Sequence, residues 1–432
     1  NQRHLLFGVA MILILVILFI PYVRRLCISL MAGGNVFKTF FIARNSWLPR
    51  KNDPLHPIRN LILACILVII MPYVHGSALI AALLILFGMA IISENRLSYL
   101  IVAVSAVIAS FIQTRVFSGN YKDFVLFNFV QGFVSEADTP SGVLKYLIYI
   151  TGFTLILTAV FFVGWMVKDI ISKKPIYRSL LAITFLFPLI FAFNVQVSLE
   201  MLANHKFIQF TLILVDIFVS IVISNLLVLP VKISKKEVIL PTLLSLDNEE
   251  VDKQMNKKGK LSDKNKKKGV RLPLGAFIPV QVVSALLAVA LLVGLFGTGI
   301  AEWCVFVNLN KMYLDVDTNS EMVEWIVTKT DEHDVFLTPM WYTNRFYLAG
   351  RPTYYGWPYF AWSAGHDTYT REANYYWLCS GCGGNIDEFR RYCQEREIKY
   401  LVLDPEFYSL QNAEGEYIFN AELFINNLEQ VA

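Results

Sequence analysis

Charge is scarce in this chain. Asp, Glu, Lys and Arg make up 17% of its 432 residues, against roughly 25% in a soluble domain, which excludes a wholly water-soluble protein. Cysteine is scarce too. Cys27, Cys65, Cys304, Cys379, Cys382 and Cys393 are too few and too spread for a disulfide-built scaffold. A strong excess of either charge is missing: the net charge of +4 excludes nucleic acid as the expected partner. GxxxxGK[ST], HExxH and GxSxG do not occur, so the motif-based cases for a P-loop NTPase, a zincin and an α/β-hydrolase fail. There is no Asn-x-Ser/Thr sequon, which fits a bacterial chain. The first residue is Asn1 rather than Met, and the expectation is that the chain is part of a longer protein.

What the chain has instead is long apolar runs. A membrane-spanning helix takes about 20 predominantly apolar residues. Helices are expected at about Leu5–Val23, Leu61–Val74, Ala78–Ile92, Leu97–Ile112, Leu144–Val167, Ser179–Asn194, Phe207–Leu229 and Leu274–Ile300. The second and third are short, with Pro72, His75 and Gly76 at or between their ends. They form either a tight hairpin that spans or a re-entrant pair. The first run lacks the small-residue cleavage site of a signal peptide and reads as a membrane helix. Stretch 29–42, apolar but interrupted by Gly33, Gly34 and Lys38, suits a helix lying in the interface plane.

Basic residues alternate between the connecting segments. Segments 24–59, 93–96, 168–178 and 232–271 carry 24 Lys and Arg; the opposite set holds four, Arg3, Arg115, Lys122 and Lys206. By the positive-inside bias the first set faces the cytoplasm, and 113–143, 195–206 and 301–432 lie outside. Segment 246–269 is Lys-rich and of low complexity. It is expected to be a disordered cytoplasmic linker, with anionic headgroup binding as a second reading. Residues 1–300 thus form a helical membrane domain of about eight helices, and 301–432 a small α/β domain outside the cytoplasm. In that second part, Val335–Thr338, Thr353–Tyr355 and Tyr400–Leu403 read as strands. Asn319 or Ser320 and then Asn385, with Glu388 three residues on, read as helix caps.

Three constellations could carry chemistry. Fourteen aromatic residues fall among the 37 positions from Trp341 to Trp377. Aromatic faces stack on sugar rings, and Tyr and Trp also favour membrane interfaces. Arg345, Arg351, His366, Asp367 and Arg371 are interleaved with them, and Arg forks suit phosphate or carboxylate. A packed aromatic core with Arg–Asp ties is the competing reading. Loop 195–206 brings Glu200, Asn204, His205 and Lys206 close together in sequence. There a cation can hold a lipid phosphate and Glu200 or His205 can act as a base; a snorkelling Lys beside a polar helix cap is the alternative. Loop 113–143 holds Arg115, Lys122, Asp123, Glu136 and Asp138, with nothing to single out one carboxylate. The lone Cys379-Ser-Gly-Cys382, with Cys393 beyond it and His366 as the one nearby fourth ligand, is weak for zinc. A disulfide or free thiols are preferred, and no metal site is assigned.

The pattern Leu348, Gly350, Arg351, Pro352, then Gly356, Trp357, Pro358, then Trp362, Ser363, Gly365, Asp367 and Arg371 resembles a segment of large bacterial membrane proteins of the GT-C glycosyltransferase type. Val335–Pro339 and Tyr400–Pro405 look like strands of their outer domain, and Asn204 with Lys206 looks like an Asn-x-Lys at the start of a late helix in that group. The resemblance implies a polyprenyl-phosphate sugar as donor, no further cofactor in the chain, and inverting transfer to a glycan or other envelope acceptor outside the plasma membrane. In that group the catalytic carboxylate follows the first helix and the chain begins inside. An odd number of helices, with that loop, would therefore precede Asn1. Lys206 and then Arg115 are the candidates for the donor phosphate, with His205 and Asn204 beside Lys206. Arg351, Trp357, Trp362, His366, Asp367 and Arg371 are the candidates for the acceptor. Glu200 and Asp123 stand as carboxylate candidates. A non-catalytic membrane protein that binds glycan or a protein partner is the alternative. A transporter is disfavoured because the spans carry almost no charge apart from Asp216.

Overall fold

A computed structural model describes residues 3–32, 35–51, 53–117, 127–135, 139–198, 201–228, 232–234, 237–240, 270–309, 320–341, 344–363, 366–411 and 415–431. The described chain is mostly helical. Seven stretches are long and apolar enough to cross a membrane: His4–Met31, Pro57–Val74, Arg96–Val116, Pro140–Ile171, Tyr177–Asn194, Leu202–Leu227 and Phe277–Gly297. The architecture is that of a multi-pass helical membrane protein. The chain divides into two compact units, Asn1–Phe117 with Val130–Val195 and Asn204–Leu309, and Ser118–Phe129 with Gln196–Ala203 and Asn310–Ala432.

The helices of the first unit are α1 (Arg3–Met31), α2 (Pro57–Val74), α3 (Gly76–Ile91), α4 (Arg96–Phe117), α5 (Pro140–Ile171), α6 (Tyr177–Thr184), α7 (Phe187–Asn194), α8 (Leu202–Leu227) and α9 (Leu274–Leu309). Two run past their expected ends, α1 to Met31 and α9 to Leu309. The apolar windows stop earlier, but no proline or glycine follows to break the helix. Pro57 starts α2, where its missing N–H costs nothing. His75 ends α2 in an extended conformation, and its Nδ1 accepts the Ala78 N–H to cap α3. One residue therefore closes one helix and opens the next.

α3 is the central helix and packs against α1, α2, α4, α6 and α7. Small residues let these backbones approach. A methyl on Gly8 would lie 2.6 Å from the Ala78 Cβ, and one on Gly88 would lie 3.0 Å from the Thr184 Cβ and 3.1 Å from Phe187. α3 runs beside α1 from Gly8 and Ala78 to Tyr22, whose carbonyl takes the Glu94 N–H. That is about 21 Å of helix at 1.5 Å per residue. The α2–α3 hairpin thus lies along about half the length of α1.

The α3–α4 turn is polar and buried: Ser93, Glu94, Asn95 and Ser98 are all shielded from solvent. Arg50 grips both Glu94 carboxylate oxygens, with Nε to Oε2 at 2.9 Å, and the Ser29 hydroxyl donates to Oε1. Arg96 donates to the last carbonyls of α3, Ala90 and Ile91, and to Phe40. Beside this, Arg25 pairs with Asp53 at 2.7 Å. Burial alone would raise the Asp53 carboxyl, but the Arg25 guanidinium and the Leu55 N–H outweigh it and hold it below its usual range. The expected interfacial segment is partly the last turn of α1 and partly a single wide turn at Lys38–Ile42, followed by a short helix, Arg44–Trp47. Three short strands, β1 (Lys232–Ser234), β2 (Glu237–Leu240) and β3 (Val270–Pro273), pair antiparallel in that order. They flank the Lys-rich segment, which lies outside the described residues.

The second unit contains α10 (Glu321–Lys329), β4 (Val335–Leu337), α11 (Asn344–Leu348), α12 (Pro358–Ser363), α13 (Thr368–Cys379), α14 (Ile386–Glu395), β5 (Ile398–Leu401) and α15 (Ala421–Asn427). β4 and β5 are parallel, and Thr353 bridges the other side of Phe336, also parallel. The expected third strand is therefore a single bridge. Alternation along β4 divides the core. Phe336 faces Val323, Ile326 and Phe346; Leu337 faces the larger cluster of Tyr375, Leu378, Phe389, Phe407 and Phe424. Ser320 caps α10 and Asn385 caps α14, each accepting the N–H three residues on.

Candidate functional site

At the His75 end of the helical unit, polar side chains collect where α1, α2, α3, α5 and α8 begin or end. Asn204 is fully buried, and its Nδ2 donates to the carbonyls of Ala192 (3.0 Å) and Val195 (2.7 Å). It ties the end of α7 to the start of α8 and so fixes the residues after it. His205 shares a 2.6 Å hydrogen bond with the Tyr146 hydroxyl of α5. Lys206 lies close enough to His75 to act on its charge, as does His4. The His75 ring meets Phe210 edge-on at 5.8 Å. Burial first, and then the Lys206 charge, hold the His75 imidazole below its ordinary pKa. With Nδ1 accepting from Ala78, the neutral ring carries its proton on Nε2 as a donor. Arg115 is exposed at the end of α4, over the Phe111 ring of its own helix at 5.1 Å. Among the described residues no contact joins it to this cluster. Glu200 and Asp123 lie outside the described residues.

Such a cluster can hold an anion. It combines the Lys206 cation, imidazole and phenol groups, and the apolar rings of Phe193 against Tyr146 and Phe210 against His75. His4, His75 and Tyr146 join it although nothing in their local sequence marks them. The one available signal was that Arg3, His75 and Lys206 all belong to the weakly basic side of the chain.

In the second unit the proposed acceptor residues separate into two groups. Arg351 is buried, and its guanidinium donates to Thr330 Oγ1 and to the carbonyls of Ile326, Val327, Thr330 and Ala349. Ile326, Val327 and Thr330 close α10 and Ala349 follows α11, so its donors are taken up by the fold. Asp367 caps α13 through the Thr370 N–H and hydroxyl, and these bonds hold its carboxyl below the usual range.

Trp357, Trp362 and Arg371 are presented differently. Trp357 sits just past the Thr353 bridge with φ of 42°, a conformation that costs free energy in a bulky residue. Its N–H is held by the Met340 carbonyl at 2.8 Å. Its indole meets the exposed Trp341 edge-on at 5.1 Å. Trp341 follows β4 as Trp357 follows the bridge, so both stand at the C-terminal end of the parallel strands, where α/β sheets place ligands. Trp362 packs against Tyr359 at 6.2 Å. The Arg371 guanidinium lies over Tyr354 at 4.7 Å. The His366 N–H is held by the Ala361 carbonyl.

The cysteines of the second unit are free and buried. Burial pushes the Cys379 and Cys393 thiols up to about 12 and Cys382 to about 11. Among the described residues no three His, Cys, Asp or Glu side chains are grouped for a metal. No family model matches this chain, and neither curated proteins nor solved structures give a significant match.

Proposed function

We propose that the chain is part of an integral membrane glycosyltransferase that moves a sugar from a lipid-phosphate donor to an acceptor outside the cytoplasm. The observation that carries this reading is the Lys206, His205–Tyr146 and His75 cluster at one end of an apolar helical bundle. A lipid-linked phosphate needs that combination: a cation and neutral donors for the headgroup, and apolar helices for the tail. The resemblance to GT-C enzymes of the bacterial plasma membrane supplies the donor class, a polyprenyl-phosphate sugar. We read the second unit as a small α/β domain outside the membrane, presenting Trp341, Trp357 and Trp362 to a glycan or other envelope acceptor.

In the proposed reaction an acceptor oxygen attacks the anomeric carbon, and the bond from that carbon to the lipid phosphate oxygen breaks. The electron pair leaves on the phosphate, where Lys206 stabilises the charge. A carboxylate takes the acceptor proton. Glu200 or Asp123 would be that base if it lies in this chain.

The test is transfer from radiolabelled polyprenyl-phosphate sugars by the protein in membranes, with Lys206→Ala as the comparison. Loss of one oriented cation predicts a fall of roughly 10²–10³-fold at unchanged expression. Transfer that survives Lys206→Ala would remove the phosphate assignment. No transfer from any donor would favour the alternative, a non-catalytic glycan- or partner-binding protein. The exposed Trp341–Trp357 pair would serve that role without a base.

A further inference from the structure

From Leu26 near the end of α1 to Asn52 before α2 the chain has no acidic residue. Within it, Val36, Phe37, Phe41, Ile42 and Trp47 are all about half exposed or more, with Phe37 at 62% and Ile42 at 63%. Lys38, Arg44 and Lys51 are exposed among them, and none has a carboxylate partner among the described residues. This contrasts with their neighbours, since Arg25 is paired with Asp53 and Arg50 with Glu94.

The segment is held in place. Arg96 sits over the Phe40 ring at 4.3 Å and the Trp47 ring at 5.4 Å. The Asn95 N–H donates to the Asn45 carbonyl, the Ser46 hydroxyl to the Thr39 carbonyl, and the Trp47 indole N–H to the Phe41 carbonyl at 2.7 Å. Phe37 and Phe40 flank Phe41 at 5.0 and 4.7 Å. An aromatic and aliphatic face is therefore presented in a fixed shape beside cations that have no carboxylate partner among the described residues, and the segment joins two membrane-length apolar helices. Apolar side chains with neighbouring Lys and Arg match the boundary between acyl chains and anionic headgroups.

We propose that residues 35–51 form a preformed dock for anionic phospholipid. Phe37, Phe41, Ile42 and Trp47 lie among the upper acyl chains, and Lys38, Arg44 and Lys51 hold the headgroup phosphates. This reading is independent of glycosyl transfer.

The full chain is placed in lipid nanodiscs doped with phosphatidylglycerol or phosphatidylcholine brominated on the upper acyl chain. Quenching of Trp47 is obtained by difference against Trp47→Phe. Brominated phosphatidylglycerol is expected to quench Trp47 more strongly at equal mole fraction. The preference should fall about fivefold for each charge removed in Lys38→Gln, Arg44→Gln and Lys51→Gln. Lys38→Arg and Arg44→Lys should keep it, which separates charge from misfolding. Equal quenching by both lipids would overturn the proposal in favour of uncharged apolar anchoring. So would no quenching by either, which would put the segment in water or against another protein, and so would a preference untouched by the Gln variants.

Discussion

Arg351 gathers the end of one helix with a single side chain. Its bonds to Ile326, Val327 and Thr330 engage carbonyls at the last turn of α10, and a further bond takes the Ala349 carbonyl after α11. Arg351→Ala removes these donors and leaves the acceptors in a buried place, at a cost of about 2–4 kcal/mol. Arg351→Lys recovers little of it, since an ammonium cannot spread donors over several carbonyls. Thermal unfolding of the purified protein measures both. The cysteines make a second residue-level prediction. Cys379, Cys382 and Cys393 are buried and their thiols are raised to about 11–12, so they should resist iodoacetamide at pH 8 until the second unit unfolds. Peptide mass spectrometry before and after denaturant reads this directly. The Leu348–Arg371 segment stood out in the sequence by its density of Arg and aromatic residues. Which of its residues face inward was not legible there. Arg351 and Trp357 look equally available until the carbonyls of α10 and the left-handed turn at Trp357 are seen.

Among the elements, the helices were the most legible part of the chain, because a span needs only length and apolarity. The eight expected runs correspond to α1 through α9, with α6 and α7 together forming one. What the pattern could not decide was whether the short α2–α3 pair crosses the bundle. What the structure adds is where the pair meets α1, at Gly8 against Ala78 at one end. At the other end the Glu94 N–H bonds to the Tyr22 carbonyl. Gly8→Leu should force α1 and α3 apart and cost about 1–3 kcal/mol, seen as a lower melting temperature and loss of a single peak in detergent size exclusion. Strands were less legible. The Thr353–Tyr355 run is short and meets its neighbour at one residue, so β-propensity alone overstated it.

For the whole molecule, pH and sidedness are the levers. In the second unit, Asp334, just before β4, is buried and pairs with Lys399 of β5. Burial pushes its carboxyl up, but the Lys399 ammonium and the Asp331 N–H more than reverse this and hold it below the ordinary value. A carboxyl whose folded pKa is depressed stabilises above its unfolded value, about 3.9. That contribution is lost as pH falls through the folded pKa. Unfolding midpoints of the second unit should therefore drop below about pH 4, and Asp334→Asn should flatten that drop while lowering stability at neutral pH. For sidedness, the alternation of basic loops predicts that a cysteine replacing Lys173 reacts with a membrane-impermeant maleimide only in opened cells, and one replacing Ser141 in intact cells.

The turn at His75 also sets an order of events during synthesis. With one residue between α2 and α3, neither helix has slack to enter the bilayer without the other, so the ribosome must deliver them as a pair. α3 is then surrounded in two stages. Its Ala78 face meets α1, already made, whereas its Gly88 face waits for Thr184 and Phe187. Until those residues emerge, the Gly88 face of α3 lacks the partner it has in the finished fold.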